Sequence, residues 1–287
     1  MQQVLINGQV FKLPENWQEV EYKHLTELLK NLYVLPESGS TYHTILRIVL
    51  GYDQKQWKKL MRHFFAKHRS LEDQLETTET LSKLLRIISW MWTGDLTVSP
   101  FESVKIDGQK YVLFQPGFIS MSFGELADAY IHAQAFIKQL VEGEERLNML
   151  VATVLRPERA GDYKNDPSWN GDPREDYNEH IARERGDIFK GEHLDKKIMI
   201  LVYFLGSVKN FFSYFDLFDN DGSAPPVPEE FPGQSMIKNQ HLLSEKHIFG
   251  GMKATKQANV HDVFQFLEEH NKDVKAEIAR SKANQTD

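Results

Sequence analysis

The chain has 287 residues, 41% hydrophobic and 11% aromatic, enough apolar side chain for one large or two ordinary cores and too much for a disordered chain. Its formal charge of -7 and pI near 5.9 argue against a surface that tracks a phosphate backbone throughout, though they leave room for a local basic patch. With no cysteine, disulfides, thiolate metal sites and cysteine nucleophiles are excluded, and a reducing compartment fits.

In chain order, residues 4–13 read VLINGQVFKL and residues 104–113 read VKIDGQKYVL. Alternating apolar residues flank Asn7-Gly8 and Asp107-Gly108, dipeptides suited to a type I′ turn, so each stretch predicts a hairpin. Val4, Ile6, Gln9, Phe11 and Leu13 match Val104, Ile106, Gln109, Tyr111 and Leu113; with a one-residue slip, Trp17, Tyr22 and Leu25 match Phe118, Phe123 and Leu126. Either two common turns look alike or one unit is used twice. The similar helical run after each favours duplication. The amino-terminal segment MQQVLINGQVF has no basic head or sustained apolar run, so no secretory signal is expected.

Leu25, Leu28, Leu29 and Leu32 predict a first helix, broken over Pro36 to Ser40. Ile45, Leu46, Val49 and Leu50 predict a second. Asp53 with Gln56 predicts a capping box and a third helix to about Lys67, and a fourth ends at Trp92. The third is basic and amphipathic: Trp57, Leu60, Met61 and Phe64 share one side, while Lys55, Lys58, Lys59, Arg62, Lys67 and Arg69 cover much of the rest. Such a face is an ordinary solvated surface, or it meets an acidic protein, nucleic acid or an anionic membrane.

After the second hairpin, Ser122 with Glu125 predicts another capping box and helix, and Glu144 to Leu155 is helical again. Residues 156–176 are crowded with Pro, Gly, Asp and Asn and predict a long surface loop, in which Trp169 is an interface anchor or a lid on its own domain. Asp176 with Glu179 predicts a helix to about Lys190. The apolar stretch 198–218 is interrupted by Lys209, Asn210, Ser213 and Asp216, so it predicts a buried helix instead of a membrane span. Residues 219–234 have linker composition, and Asn259 with Asp262 starts a last helix whose apolar side includes Phe264 and Phe266.

Motifs of chemistry are weak. Counting an EF-type loop from Gly171 places Asp166, Ser168 and Asn170 on ligand positions but Tyr177 at the twelfth, so no metal is expected. There is no phosphate-cradling loop, dinucleotide fingerprint or serine elbow, and no cofactor is expected. Asp162, Asp166 or Glu179 would be the acid or base of a hydrolase, but they read more simply as turn and cap residues.

The segments LINGQVFKLPENWQEVEYKHLTELL, LRPER and YNEHIARERGDIFK with an apolar helix resemble uncharacterised proteins encoded among virion and tail-assembly genes of tailed bacteriophages and prophages. The resemblance covers about the first thirty residues and 150–212, and the stretch 161–172 is longer than in that pattern. It implies a non-enzymatic virion structural or connector component, or a tail assembly chaperone, working in the host cytoplasm during assembly or in the virion. Its partners would be other phage structural or tail proteins, or a second copy, with no membrane and no small-molecule substrate. The alternative is a nucleic-acid-binding regulator using the basic helix 54–69.

The expected fold is thus α+β and mostly α-helical. It comprises two tandem units of a hairpin and about four helices, 1–98 and 99–218, then a Pro/Gly-rich linker and irregular segment 219–258 and a C-terminal helix and tail 259–287. Partner contacts are expected at Trp57, Lys58, Lys59, Arg62, Trp169, Phe264 and Phe266.

Overall fold

Gly8 and Gly108 stand at φ +79° and +83°, the left-handed backbone that a two-residue turn requires, and each follows a strand that folds back on itself. The computed structural model describes residues 1–6, 8–167, 169–218 and 229–283; Asn7 lies outside them. It is α+β and 60% helical, with a two-stranded and a three-stranded antiparallel sheet. Two compact units form, Met1–Pro100 with His193–Met199, and Phe101–Glu192 with Ile200–Asp287.

In the first unit, β1 (Gln2–Ile6) pairs with β2 (Gln9–Leu13), placing Ile6 opposite Gln9 and Val4 opposite Phe11. A 3-10 turn, Trp17–Glu19, leads into α1 (Tyr22–Tyr33), which buries Leu25, Leu28 and Leu29. Ser38 caps α2 (Gly39–Val49), so the helix begins inside the expected break. Asp53 and Gln56 make both bonds of their capping box at the start of α3 (Gln54–Phe64), which stops three residues short of the expected Lys67. The expected fourth helix is two: α4 (Leu71–Ile87) and the short α5 (Trp90–Thr93). The break lets two tryptophans cross. Trp17 Nε1 donates to Gly94 O at 3.0 Å, Trp90 Nε1 donates to Pro14 O at 2.9 Å, and the rings meet edge to face at 5.1 Å. Hydrophobic burial here carries its own polar satisfaction.

The second unit opens with the same order of elements. β3 (Ser103–Ile106) pairs with β4 (Gln109–Leu113) in matching register, Ile106 opposite Gln109 and Val104 opposite Tyr111. Another 3-10 turn, Pro116–Phe118, precedes α6 (Phe123–Ile137), whose first residue corresponds to Tyr22 at the start of α1. Beyond this point the two units differ. α7 (Glu145–Val154) runs into β5 (Leu155–Pro157), which lies along β4, and α8 (Glu179–Arg185) follows, then α9 (Leu194–Phe212), which belongs to this unit from Ile200 on. Asn178, not Asp176, caps α8.

The segment 219–258 is not irregular throughout: α10 (Gln234–Glu245) and α11 (Met252–Gln257) occupy much of it, while 219–228 lie outside the described residues. These helices, with α12 (Val260–Ala283), belong to the second unit instead of forming separate segments. Phe123 N–H donates to Ala258 O at 2.9 Å and Val260 N–H donates to Met121 O at 3.1 Å, so the start of α12 is stitched to the start of α6. Val260, Val263, Phe264 and Leu267 are buried there; further along, Ile278 is half exposed. Phe264 meets Phe123 at 5.9 Å and Phe211 at 5.3 Å, and Phe114 stacks on Tyr203 at 4.6 Å. No helix among the described residues is long and apolar enough to cross a membrane.

Gly124 marks the tightest approach in this stitching, since a Cβ there would lie 3.1 Å from both the Cβ and the backbone O of Lys256. Gly to Ala inside an exposed helix stabilises by up to about 1 kcal/mol. At this contact the sign reverses: Gly124→Ala is expected to lose about 1–2 kcal/mol in urea unfolding through overpacking.

Candidate functional site

Three features compete as the functional surface: the basic face of α3, the 156–176 segment, and the last helix. On α3 the apolar stripe faces inward and Trp57 is only 6% exposed, packed near His43 and Tyr52. It is a core residue, which corrects its expected role as a partner anchor. Lys58, Lys59 and Arg62 are exposed, as is Lys55, and among the described residues no carboxylate lies within ion-pair distance of any of them. Beside this helix opens a groove of about 440 Å³, lined by Trp57, Leu60, Met61 and Phe64 together with Phe11 and Tyr52.

The 156–176 segment is not a plain surface loop. Arg174 donates to Glu125 at 2.7 and 3.3 Å, to Asp172 at 2.9 and 2.8 Å, and to Val154 O at 3.0 Å. Arg156 Nη2 donates to Asp172 at 3.1 Å and lies 3.1 Å from Glu125. Exposure is 0% for Arg174, 1% for Glu125, 2% for Arg156 and 3% for Asp172. Two guanidinium groups thus neutralise two carboxylates in a water-poor interior, where either pair alone would be costly. Burial pulls the Arg156 guanidinium below its ordinary value; it opposes ionisation of Arg174 as well, but Glu125 and Asp172 outweigh it and hold that group up. Because Glu125 is spent on these arginines, the expected capping box at Ser122 is only half made: Ser122 accepts from Glu125 N–H at 3.3 Å.

The rest of the segment folds back on this anchor. Trp169 Nε1 donates to Asp172 O at 2.7 Å, and its half-buried ring meets Tyr163 at 5.5 Å. It is a clasp on its own segment. Glu158 and Arg174 form an isolated antiparallel bridge that closes the neck, and Ser168 lies outside the described residues. Two of the hydrolase candidates sit in structural roles, Asp162 accepting from Asn165 at 2.7 Å and Glu179 paired with the distant Lys256 at 2.7 Å, which lowers its carboxyl.

Glu125, Asp128 and His132 share one face of α6 at spacings of three and four. Tyr177 donates its hydroxyl to Asp128 at 2.6 Å. Burial raises both groups, and the Asp128 charge pushes Tyr177 further. Burial, then Arg146 and Arg183, hold His132 down to about 4. Sequence spacing alone missed this constellation. The one signal was arginine beside acid in LRPER and DPRED, which reads equally well as turn composition. No group of three or more His, Asp or Glu able to hold a metal occurs among the described residues.

On α12, Phe264 is 3% exposed at the centre of the aromatic core, which corrects its expected place at a partner contact. Phe266 is half-buried and stacks on His270 at 6.0 Å. Neither offers an aromatic anchor comparable to a free surface ring.

Arg174→Ala is expected to cost about 3–5 kcal/mol in urea unfolding and to speed proteolysis within 158–172, because two carboxylates stay buried with one partner. Lysine at that position should rescue poorly, lacking the fork. His132 gives a pH signature. An imidazole lowered on folding contributes its full stability above the unfolded value of about 6.5 and loses it as pH falls toward about 4. That window is worth up to ~3 kcal/mol. Asp128, raised by burial, works in the opposite sense, so the comparison should be with His132→Gln, whose unfolding free energy is expected to fall less between pH 7.5 and 4.5. No family model, curated protein or solved structure matches the chain.

Proposed function

We propose that the chain is a non-enzymatic protein-interaction module of phage particle assembly, a virion structural or connector component or a tail assembly chaperone, acting in the host cytoplasm. The observation that carries the interaction is the face of α3. Lys55, Lys58, Lys59 and Arg62 are exposed and lack ion-pair partners among the described residues, in a chain of net charge -7. An acidic protein surface would complement that patch and gain both orientation and association rate. The phage setting rests on the sequence resemblance.

The same cations would also contact phosphates, which keeps a nucleic-acid regulator as the second reading. The helix is short, ~16 Å at 1.5 Å per residue, and the acidic remainder of the chain opposes a duplex at longer range. A compact acidic protein surface suits it better.

The test is cross-linking mass spectrometry on the chain assembled with its neighbouring gene products. Cross-links from Lys58 and Lys59 to acidic stretches of a particle protein are expected. The triple variant Lys58→Glu, Lys59→Glu, Arg62→Glu should remove them and weaken capture at least about tenfold, with unchanged circular dichroism because the three side chains are exposed. A monodisperse monomer that joins no particle protein would sink the proposal. Salt-sensitive duplex binding abolished by the triple variant would transfer it to nucleic acid.

A further inference from the structure

The two hairpins differ in what lies along their second strand. In a hairpin closed by two residues, the pair flanking the turn exchanges hydrogen bonds, and the next residues along each strand turn their N–H and C=O outward. In the second unit those outward groups are used: β5 lies along β4, with Arg156 opposite Val112, and Glu158 N–H donates to Lys110 O at 3.0 Å. The corresponding groups in the first unit belong to Val10 and Lys12 of β2, and among the described residues no hydrogen bond reaches them.

The outer faces differ in a second way. Lys105 and Lys110 are exposed cross-strand neighbours in the second hairpin, the charged dressing expected near a sheet edge. Their counterparts are Leu5 and Val10, 69% and 56% exposed. The first unit thus combines an unpaired edge, an exposed apolar pair, and the groove lined by Phe11 and Tyr52 on the inner face.

We infer that the free edge of β2 receives an extended segment of a partner protein, antiparallel, as β5 lies on β4. Charge gives its chemistry. Lys110 pairs with Glu158 at 3.0 Å, but the lysine of the first hairpin sits two residues further on, at Lys12, which is exposed and unpaired among the described residues. The incoming strand therefore reads apolar opposite Leu13, acidic opposite Lys12, apolar opposite Phe11 and apolar opposite Val10. The residue opposite Phe11 points to the groove side, because paired residues share a face. Main-chain bonds supply affinity and the alternate side chains supply selection. This surface is distinct from the cations of α3, and the inference stands without the phage setting.

The probe is a fluorescein-labelled octapeptide, TVLEVVRA, which copies residues 153–160 with the three changes this register asks for. Titrated with the full chain, it should bind saturably. Val10→Pro removes only an outward N–H, which an edge strand tolerates, and should weaken binding at least about tenfold. Val10→Lys, copying the second hairpin, should do the same with an undisturbed circular dichroism spectrum. Lys12→Glu should reverse the preference toward TVLKVVRA. The α3 triple variant should bind the probe normally, which separates failure at this edge from failure of the α3 reading. No saturation below ~1 mM, or undiminished affinity in both Val10 variants, overturns the inference. So does a probe-free dimer dispersed by Val10→Pro, since a second copy would then hold the edge.

Discussion

A buried quartet of charges governs the second unit. Glu125 comes from the start of α6, Arg156 from β5, and Asp172 and Arg174 from the far end of a polar segment. None tolerates burial alone, so each enters the interior only when the others are in place. That mutual requirement fixes where β5 lies, and hence gives β4 its neighbour. It also returns the chain after residue 176 to α6, where Tyr177 meets Asp128 and Glu179 meets Lys256. Such a buried set adds little net stability, since apolar residues of similar shape would pack with less desolvation cost.

The first unit reaches order differently. Its closure is carried by two indoles that cross, each satisfying its N–H on a backbone carbonyl of the other's segment. No third strand is needed to hold the hairpin, because Leu13 and Trp17 are buried and Trp17 packs on Trp90 of α5. The same strand, turn, strand, 3-10 turn and helix therefore begin both units, while their completion differs. Where the second unit places β5 along its edge, the first retains backbone groups with no hydrogen bond among the described residues and an apolar outer pair. A shared beginning with unequal endings is what makes the two hairpins chemically different surfaces.

Charge distribution follows the same division of labour. In the second unit the strongest charge pairs are internal and neutralise each other. On α3 of the first unit four cations stand in solvent with no carboxylate within ion-pair distance among the described residues. Buried charges organise the chain that carries them, whereas exposed unpaired charges are available to something else. That contrast separates the structural arginines from the candidate binding lysines more clearly than residue type does.

The amino-acid sequence by itself determined the local elements. Gly8 and Asp107-Gly108 dictate their turns through backbone freedom, Asp53 with Gln56 caps α3, and periodic leucines set the inward face of α1. These follow from interactions within a few residues, so their signatures are readable along the chain. Only the tertiary structure decided that Trp57 and Phe264 are core residues, that Glu125 serves arginines instead of a cap, and that 156–176 is anchored instead of free. It also decided that residues 234–283 join the second unit. Each of these outcomes depends on partners far apart in sequence, such as Glu125 and Arg174, forty-nine residues apart. A buried charge and a solvated one are written with the same letter; burial, which only the folded chain supplies, makes them different.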